Sequence, residues 1–352
     1  MNLTHRFAAL LAACVIALPA AAQNAAEGAV DPNIMSPFAY ANSGERAKHT
    51  EAAPAEESGG RVIGGVDAEP GAWPWQVALM IAGRPVNPDA HFCGGSLVLP
   101  NWVLTAAHCV HMETGNGQFA DLPPQAIRVL AGSSRLAEGE GDLIDVAAIY
   151  RHENYNPDGW NNDIALIKLA RPASGPVATI TVPTPEAGDI LETPGVQATV
   201  TGWGFTEKGE HPENLKQATI EMLPRDACNG ALMQARAQAA GQAFAQVAKL
   251  FRVPPEAAQE SWQKLIENAQ PPLTENMVCS GTYAGGQGAC SGDSGGPLVV
   301  GLQDGSFIQA GIVSWGLSDS ATKSCVVTSK FSAYTRLANY LDWMNGVIRA
   351  NP

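Results

Sequence analysis

The sequence predicts an all-β fold, a sandwich or barrel of short strands that holds one inserted helical hairpin and is closed by one C-terminal helix. Three observations carry that expectation. Short apolar runs separated by turn residues recur from Gln76 to Gly316. The 36 glycines and 25 prolines among 352 residues supply many turns, which favours short strands over long helices. Apolar residues at helical spacing are confined to one internal segment and to the C-terminus. With 45% hydrophobic and 16% charged residues, the chain has a globular composition and is long enough for a sizeable core or two stacked subdomains.

At the N-terminus, Arg6 precedes an apolar run from Phe7 to Leu18 and the small residues Ala20, Ala21 and Ala22, the pattern of a secretory signal peptide over residues 1–22. That run is short for a bilayer span, and no second apolar stretch of spanning length follows, so no transmembrane segment is expected. Leu11-Ala12-Ala13-Cys14 resembles a bacterial lipobox, which leaves acylation of Cys14 open. The apolar run past Cys14 and the alanine-rich cleavage site favour ordinary signal peptidase. Residues 23–61 are rich in Ala, Glu, Pro, Ser and Gly without apolar periodicity, and read as a loosely ordered lead segment.

The glycine-punctuated run RVIGGVDAEPGAWPWQVALM then opens a folded domain over residues 62–352. Within it QVALMI, GSLVLP, WVLTAA, AIRVLAG, LIDVAAIY, IALIKL, VQATVTGWG, ATIEML, PLVV and FIQAGIVSWG read as strands. Leu232, Met233, Phe244, Val247, Leu250 and Phe251 fall at roughly helical spacing. Pro254 and Pro255 break that stripe, and Trp262, Leu265 and Ile266 mark a second one, which predicts a helical hairpin over about 231–268. Leu337, Tyr340, Leu341, Met344 and Val347 or Ile348 mark the closing amphipathic helix.

The net charge of -13 argues against a nucleic-acid partner, because phosphate binding needs clustered Lys and Arg; a solvated acidic surface accounts for it. Beyond the leader six cysteines remain: Cys93, Cys109, Cys228, Cys279, Cys290 and Cys325. An even number in an exported chain implies disulfides, and spacing alone leaves their pairing open.

Three local motifs carry chemistry: LTAAHC with His108, NNDIALIKL with Asp163, and GDSGGP with Ser294. A serine hydroxyl is a weak nucleophile unless a base lies within hydrogen-bond reach, and a buried carboxylate holds that base in one tautomer. Each motif alone is compatible with a packed histidine, a capping aspartate or a plain turn. Together, and with VIGG, WPWQV, CGGSLV, TGWG and IVSWG in the same order, they resemble the chymotrypsin-like serine endopeptidases of the trypsin family from Val62 to the C-terminus, the helical insertion apart.

That resemblance implies two packed six-stranded antiparallel β-barrels, with His108 as general base and acid, Asp163 orienting it and Ser294 as nucleophile. It implies an oxyanion hole from the backbone N–H groups of Gly292 and Ser294, with Ser314 supporting Asp163. It pairs Cys93 with Cys109, Cys228 with Cys279 and Cys290 with Cys325. It also implies an inactive precursor, cut at Arg61–Val62, whose new amine pairs with the Asp293 carboxylate. The pocket expected below, which disfavours Arg, calls for a separate trypsin-like protease to make that cut. The lead segment 23–61 would then be an activation propeptide. Because it holds no cysteine, it would leave after cleavage.

The resemblance places Gly288 at the floor of the substrate pocket, followed by Ala289, with Ser314, Trp315 and Gly316 on one wall and Ser332 across from it. Trypsin-type members carry a carboxylate at that floor. A buried guanidinium without a partner loses several kcal/mol, so cleavage after uncharged residues is expected, with Leu, Met, Phe and Tyr ahead of Ala and Val. Ser332 and Phe331 depart from the family's usual glycine and proline, which bears on the pocket's depth. Asp319, in the loop from Leu317 to Ser324, is the alternative source of charge for an Arg or Lys side chain.

Glu138, Glu140 and Asp142 fall near a loop that binds calcium in some relatives. They lack a clear ligand pattern, so a solvated acidic turn is preferred and no cofactor is expected. The expected partners are protein or peptide substrates and the activating protease, with the chain itself a secreted or periplasmic monomer. A catalytically silent homologue that binds proteins through barrel or hairpin is the reading from a different class.

Overall fold

The computed structural model describes residues 65–113, 118–206, 210–282, 288–316 and 331–352. The expected leader with Cys14, the propeptide and the Arg61–Val62 bond lie outside the described residues, as do Asp319 and Cys325. In chain order the strands are β1 (Val66–Asp67), β2 (Gln76–Ile81), β3 (His91–Leu99), β4 (Trp102–Thr105), β5 (His111–Glu113), β6 (Phe119–Asp121), β7 (Ile127–Ala131), β8 (Asp142–Arg151) and β9 (Ala165–Leu169). There follow β10 (Gln197–Gly202), β11 (Lys216–Leu223), β12 (Met277–Gly281), β13 (Pro297–Gly301), β14 (Phe307–Gly316) and β15 (Phe331–Arg336). The helices are α1 (Pro185–Leu191), α2 (Arg225–Leu250), α3 (Pro255–Glu267) and α4 (Leu341–Ala350).

Strands β2, β3, β4, β9, β8 and β7 close into one antiparallel barrel. The second runs β11, β10, β13, β14, β15 and β12, with β12 returning to β11 and β1 added outside β11. Closure leaves neither sheet with a free row of backbone donors, which is how short antiparallel strands avoid exposed edges. The first barrel is filled by Val77, Leu79, Phe92, Leu97, Leu104, Val129, Ile144 and Ile167, and the second by Val200, Ile220, Leu298, Ala310 and Tyr334. Ten of these strands are the apolar runs of the sequence. Strands β12 and β15 were not among those runs: MVCSG and FSAYTR are built largely from small and polar residues, yet β12 is fully buried and β15 nearly so.

The helical insertion is present, with the break at Pro254. Its first helix starts at Arg225, six residues before the apolar stripe suggested, because Pro224 stands at the N-cap and Cys228 already lies inside the first turns. Leu232 and Cys228 pack with Leu223, Leu273, Met277 and Cys279 at the root of the insertion. Further out Val247, Leu250 and Phe251 are exposed. The closing helix α4 follows a short 3-10 turn at Leu337–Asn339 and lays Met344 against the first barrel. Among the described residues no helix is long and apolar enough to cross a membrane.

Candidate active site

His108 sits in a 3-10 turn, Ala107–Cys109, at the end of β4. Ala106, Ala107 and Val110 are fully buried around it, and a disulfide from Cys109 to Cys93 in β3 ties the turn to the barrel wall. Asp163 lies two residues before β9 and is wholly buried. Its carboxylate accepts the His108 backbone N–H at 2.9 Å on Oδ1 and faces His108 Nδ1 at 2.8 Å with Oδ2. The Ser314 hydroxyl of β14 donates to the same Oδ2, and Thr335 Oγ1 of β15 donates to the Asp163 carbonyl at 2.7 Å. The second barrel thus fixes an acid carried by the first. A carboxylate bonded on both oxygens has one orientation, and so does the imidazole that bonds to it.

Ser294 lies in the loop before β13 and is partly exposed. Its carbonyl accepts from Gly94 N–H of β3 at 2.7 Å, and Gly295 N–H donates to the Val313 carbonyl of β14 at 2.8 Å. A Cβ on Gly295 would fall 2.2 Å from Thr105 Oγ1, so only glycine lets this loop lie against the strand end that carries His108. Asp293 N–H bonds the Cys290 carbonyl and Gly296 N–H bonds the Asp293 carbonyl. Among the described residues the N–H groups of Gly292 and Ser294 have no such partner, and no hydrogen bond joins the Ser294 hydroxyl to the His108 ring. Gly292 has φ of 99°, a left-handed conformation that glycine adopts without steric cost.

Asp293 is fully buried and accepts Gly204 N–H at 2.7 Å and Cys290 N–H at 2.8 Å. Among the described residues no cation pairs with it. Burial pushes its carboxyl up to about 6, against the two backbone donors that favour the anion. The motif TGWG makes its cavity, since a Cβ on Gly202 or Gly204 would lie 2.2 Å or 2.5 Å from Asp293 atoms.

Strand β14 pairs Gly316 with Ser332 of β15. A Cβ on Gly288 would lie 3.2 Å from Ser332 Oγ, and one on Gly316 would lie 3.7 Å from the same oxygen. The Ser332 hydroxyl therefore stands between the two glycines, accepting Ala289 N–H at 3.2 Å. Gly288, Ala289, Trp315, Gly316 and Ser332 bring no charge. Behind them Tyr334 is buried, its phenol pushed up to about 12 by desolvation. The Trp160 ring meets the His108 ring edge-on at 4.9 Å.

The remaining sequence candidates fall elsewhere. Cys228 is bonded to Cys279, and Cys290 is disulfide-bonded as well. Donor atoms of Cys93, His108 and Cys109 lie within 4.8 Å of one another, but the two sulfurs are bonded to each other, leaving no thiolate for a metal. The acidic-loop carboxylates are engaged by protein groups. Asp142 holds Arg171 through both oxygens along with Ser174, which sets its carboxyl well below the usual range. Glu138 accepts Val86 N–H at 2.7 Å, and Glu140 faces Arg135 at 3.9 Å. Sequence reasoning did not single out Thr335, Gly94 or Trp160, whose parts depend on contacts between distant strands; for Gly202 and Gly204 the TGWG motif was the available signal.

Residues 62–344 match the family model Trypsin. Anionic trypsin of Canis lupus familiaris is 32% identical over 297 residues, covering 83% of this chain and 91% of its own length. Transmembrane protease serine 9 of Rattus norvegicus is 30% identical over 297 residues, and the match spans only 22% of that longer protein. A family match across both barrels, together with the paired His108 and Asp163 and the glycine-lined Ser294 loop, means that the chain belongs to the trypsin family of serine endopeptidases.

Proposed function

We propose that the chain is an exported endopeptidase made as a precursor, switched on by cleavage at Arg61–Val62, and cutting after uncharged apolar residues. The observation that carries the reading is the clamped His108–Asp163 pair beside a loop with two N–H groups that are unpaired among the described residues. In the reaction, Ser294 Oγ attacks the scissile carbonyl carbon while His108 Nε2 takes the hydroxyl proton. Asp163 holds the opposite ring nitrogen and stabilises the imidazolium. The carbonyl oxygen, now an anion, takes the Gly292 and Ser294 N–H groups. His108 returns the proton to the leaving amine as the C–N bond breaks and an acyl ester remains. Water, deprotonated by the same ring, then releases the acid and restores Ser294.

Activation follows from Asp293. A fully buried carboxylate without a cation is costly, and an ammonium freed at Val62 offsets that cost. The pairing would draw the Asp293 backbone, and with it the flanking Gly292 and Ser294, into one arrangement. For the pocket, the neutral floor at Gly288 and the Ser332 hydroxyl between the walls support uncharged substrate side chains and disfavour arginine. An enzyme with that pocket does not cut after its own Arg61, so a separate trypsin-like protease supplies the activating cut. We assign the Glu138, Glu140 and Asp142 loop a clasping role through Val86, Arg135 and Arg171, and no metal or cofactor to the reaction.

A serine-directed phosphonate tests the mechanism. Label on Ser294 that appears only after cleavage at Arg61 supports it, whereas equal labelling of uncut precursor contradicts the activation scheme.

A further inference from the structure

Two residues just before Asp163, Trp160 and Asn162, both have φ of 57°, a left-handed backbone that a tryptophan rarely adopts. Such a conformation persists only where its surroundings hold it. Here the holding is explicit. Asn162 Oδ1 accepts the Tyr340 hydroxyl at 2.9 Å and Asn276 Nδ2 at 3.5 Å, while Asn162 Nδ2 donates to the Asn154 carbonyl at 2.8 Å. Asn161 Oδ1 accepts Thr274 Oγ1 at 2.9 Å and Asn276 Nδ2 at 3.2 Å.

Thr274 and Asn276 belong to the return of the helical insertion, immediately before β12. The root of that insertion is fastened in turn. Asn229 in α2 exchanges two hydrogen bonds with the Leu273 backbone, at 2.8 Å and 3.2 Å, Arg225 donates to the Thr274 carbonyl, and the Cys228–Cys279 disulfide closes the base. Trp160 packs against the apolar cluster to which Cys228, Leu232 and Leu273 of this root belong, and its ring also meets the His108 ring edge-on. One continuous set of contacts therefore runs from α2 through Leu273–Asn276 to Asn161 and Asn162, and ends at Asp163 and His108.

We propose that Asn162 and Asn276 are positioning residues for the His108–Asp163 pair, and that the root of the helical insertion acts on catalysis through them. This rests on the catalytic reading given above. The two asparagine side chains fix the left-handed turn that feeds Asp163 into its bonds with His108. The insertion's root supplies Asn276, so a perturbation of the root reaches the reacting groups without touching substrate. The nearby ionisable groups include Tyr155 and Tyr340, both held above the ordinary tyrosine range, first by burial and then by the Asp163 charge, so neither titrates where a histidine does. They also include His152, whose ring meets the Tyr340 ring edge-on at 5.5 Å and which burial holds below the ordinary histidine range.

The test compares cleaved wild type with Asn162→Gly, which keeps the left-handed backbone and removes the amide, and Asn276→Ala. Phe251→Ser, at the exposed end of α2, serves as the reference. Rates on short peptides are divided by phosphonate-titrated sites. The expected result is about a tenfold loss of kcat for both asparagine variants, with KM within about twofold. The acid limb of the pH profile moves to lower pH, because a less well held carboxylate supports the imidazolium less. Unchanged kcat per titrated site and an unchanged profile, with only the melting temperature lowered, would overturn the proposal.

The His108 Nδ1 proton resonance reads the same geometry without turnover. An identical titration in wild type and both variants likewise overturns the proposal. An inert wild type whose resonance nevertheless shifts in the two variants overturns the catalytic reading and leaves the positioning one supported.

Discussion

At the scale of single residues, what separates Asp293 from Asp163 is the company each keeps. Both are fully buried, but Asp163 is bonded by the His108 and Ser314 side chains and by the backbone, whereas among the described residues Asp293 has two backbone donors. The sign of the resulting pH dependence is fixed. The folded carboxyl ionises near 6 against an ordinary 3.8, so between about pH 4 and pH 6 the unfolded chain gives up a proton that the folded one keeps. Stability present below pH 4 is lost as pH rises through 6, by about 3 kcal/mol at about 1.4 kcal/mol per pH unit. Cleavage at Arg61 should remove this loss. Denaturant melts of cut and uncut protein at pH 4 and 7 check it, and identical pH dependence in the two forms would count against the ammonium partner.

The glycines around Asp293 give a second prediction at this scale. Gly204→Ala places a methyl within 2.5 to 2.7 Å of the Asp293 carboxylate, so this atom and the loop behind it must move. Over-packing of this kind costs about 1–3 kcal/mol, and here it displaces Gly292 and Ser294 too. We expect a clear drop in melting temperature and loss of phosphonate labelling. Wild-type labelling in a folded Gly204→Ala protein would show that the cavity has slack. The proposed pocket floor at Gly288 gives a third. Gly288→Asp brings a carboxylate beside Ser332 Oγ and should move cleavage toward Arg and Lys, as read by paired peptide substrates.

At the scale of elements, the strands with buried aliphatic runs were readable because alternation and turn punctuation speak for them locally. Strands β12 and β15 were not, since Ser280, Ser332, Ala333 and Thr335 are small or polar. Their burial comes from closing the second barrel, which no local pattern announces. The insertion was readable from its alanine-rich stripe and its Pro254–Pro255 break. Its early start was hidden, because Cys228 reads as an anchor and not as a helix residue. Closing the 51-residue loop by Cys228–Cys279 restricts the unfolded chain by about 4 kcal/mol on the chain-entropy account. The outer turns of the hairpin, with Leu250 and Phe251 exposed, add little to the core. Replacing residues 236–262 by a short glycine-serine link should therefore leave short-peptide hydrolysis within about twofold, provided that Asn229, Leu273 and Asn276 remain. A collapse of that activity would place more of the catalytic support in the outer hairpin than the contacts described here account for.

At the scale of the whole molecule, the two barrels divide the work. The first carries His108 and Asp163, the second carries Ser294, and Ser314 and Thr335 cross between them to hold Asp163. The candidate triad was readable as three motifs because each needs particular residue types at fixed spacing. The supports were not, because Thr335, Gly94 and Trp160 matter only once the barrels meet. The uncharged residue Gly288, at the proposed pocket floor, is where the chain departs from the resemblance to trypsin-type members, and it carries the proposal about substrates.

The most direct measurement is cleavage of a mixed peptide library by protein cut at Arg61, with Ser294→Ala alongside. The account predicts cuts after Leu, Met, Phe and Tyr that disappear with Ser294→Ala. Cuts after Arg or Lys would contradict the pocket assignment, and cuts that survive Ser294→Ala would contradict the mechanism.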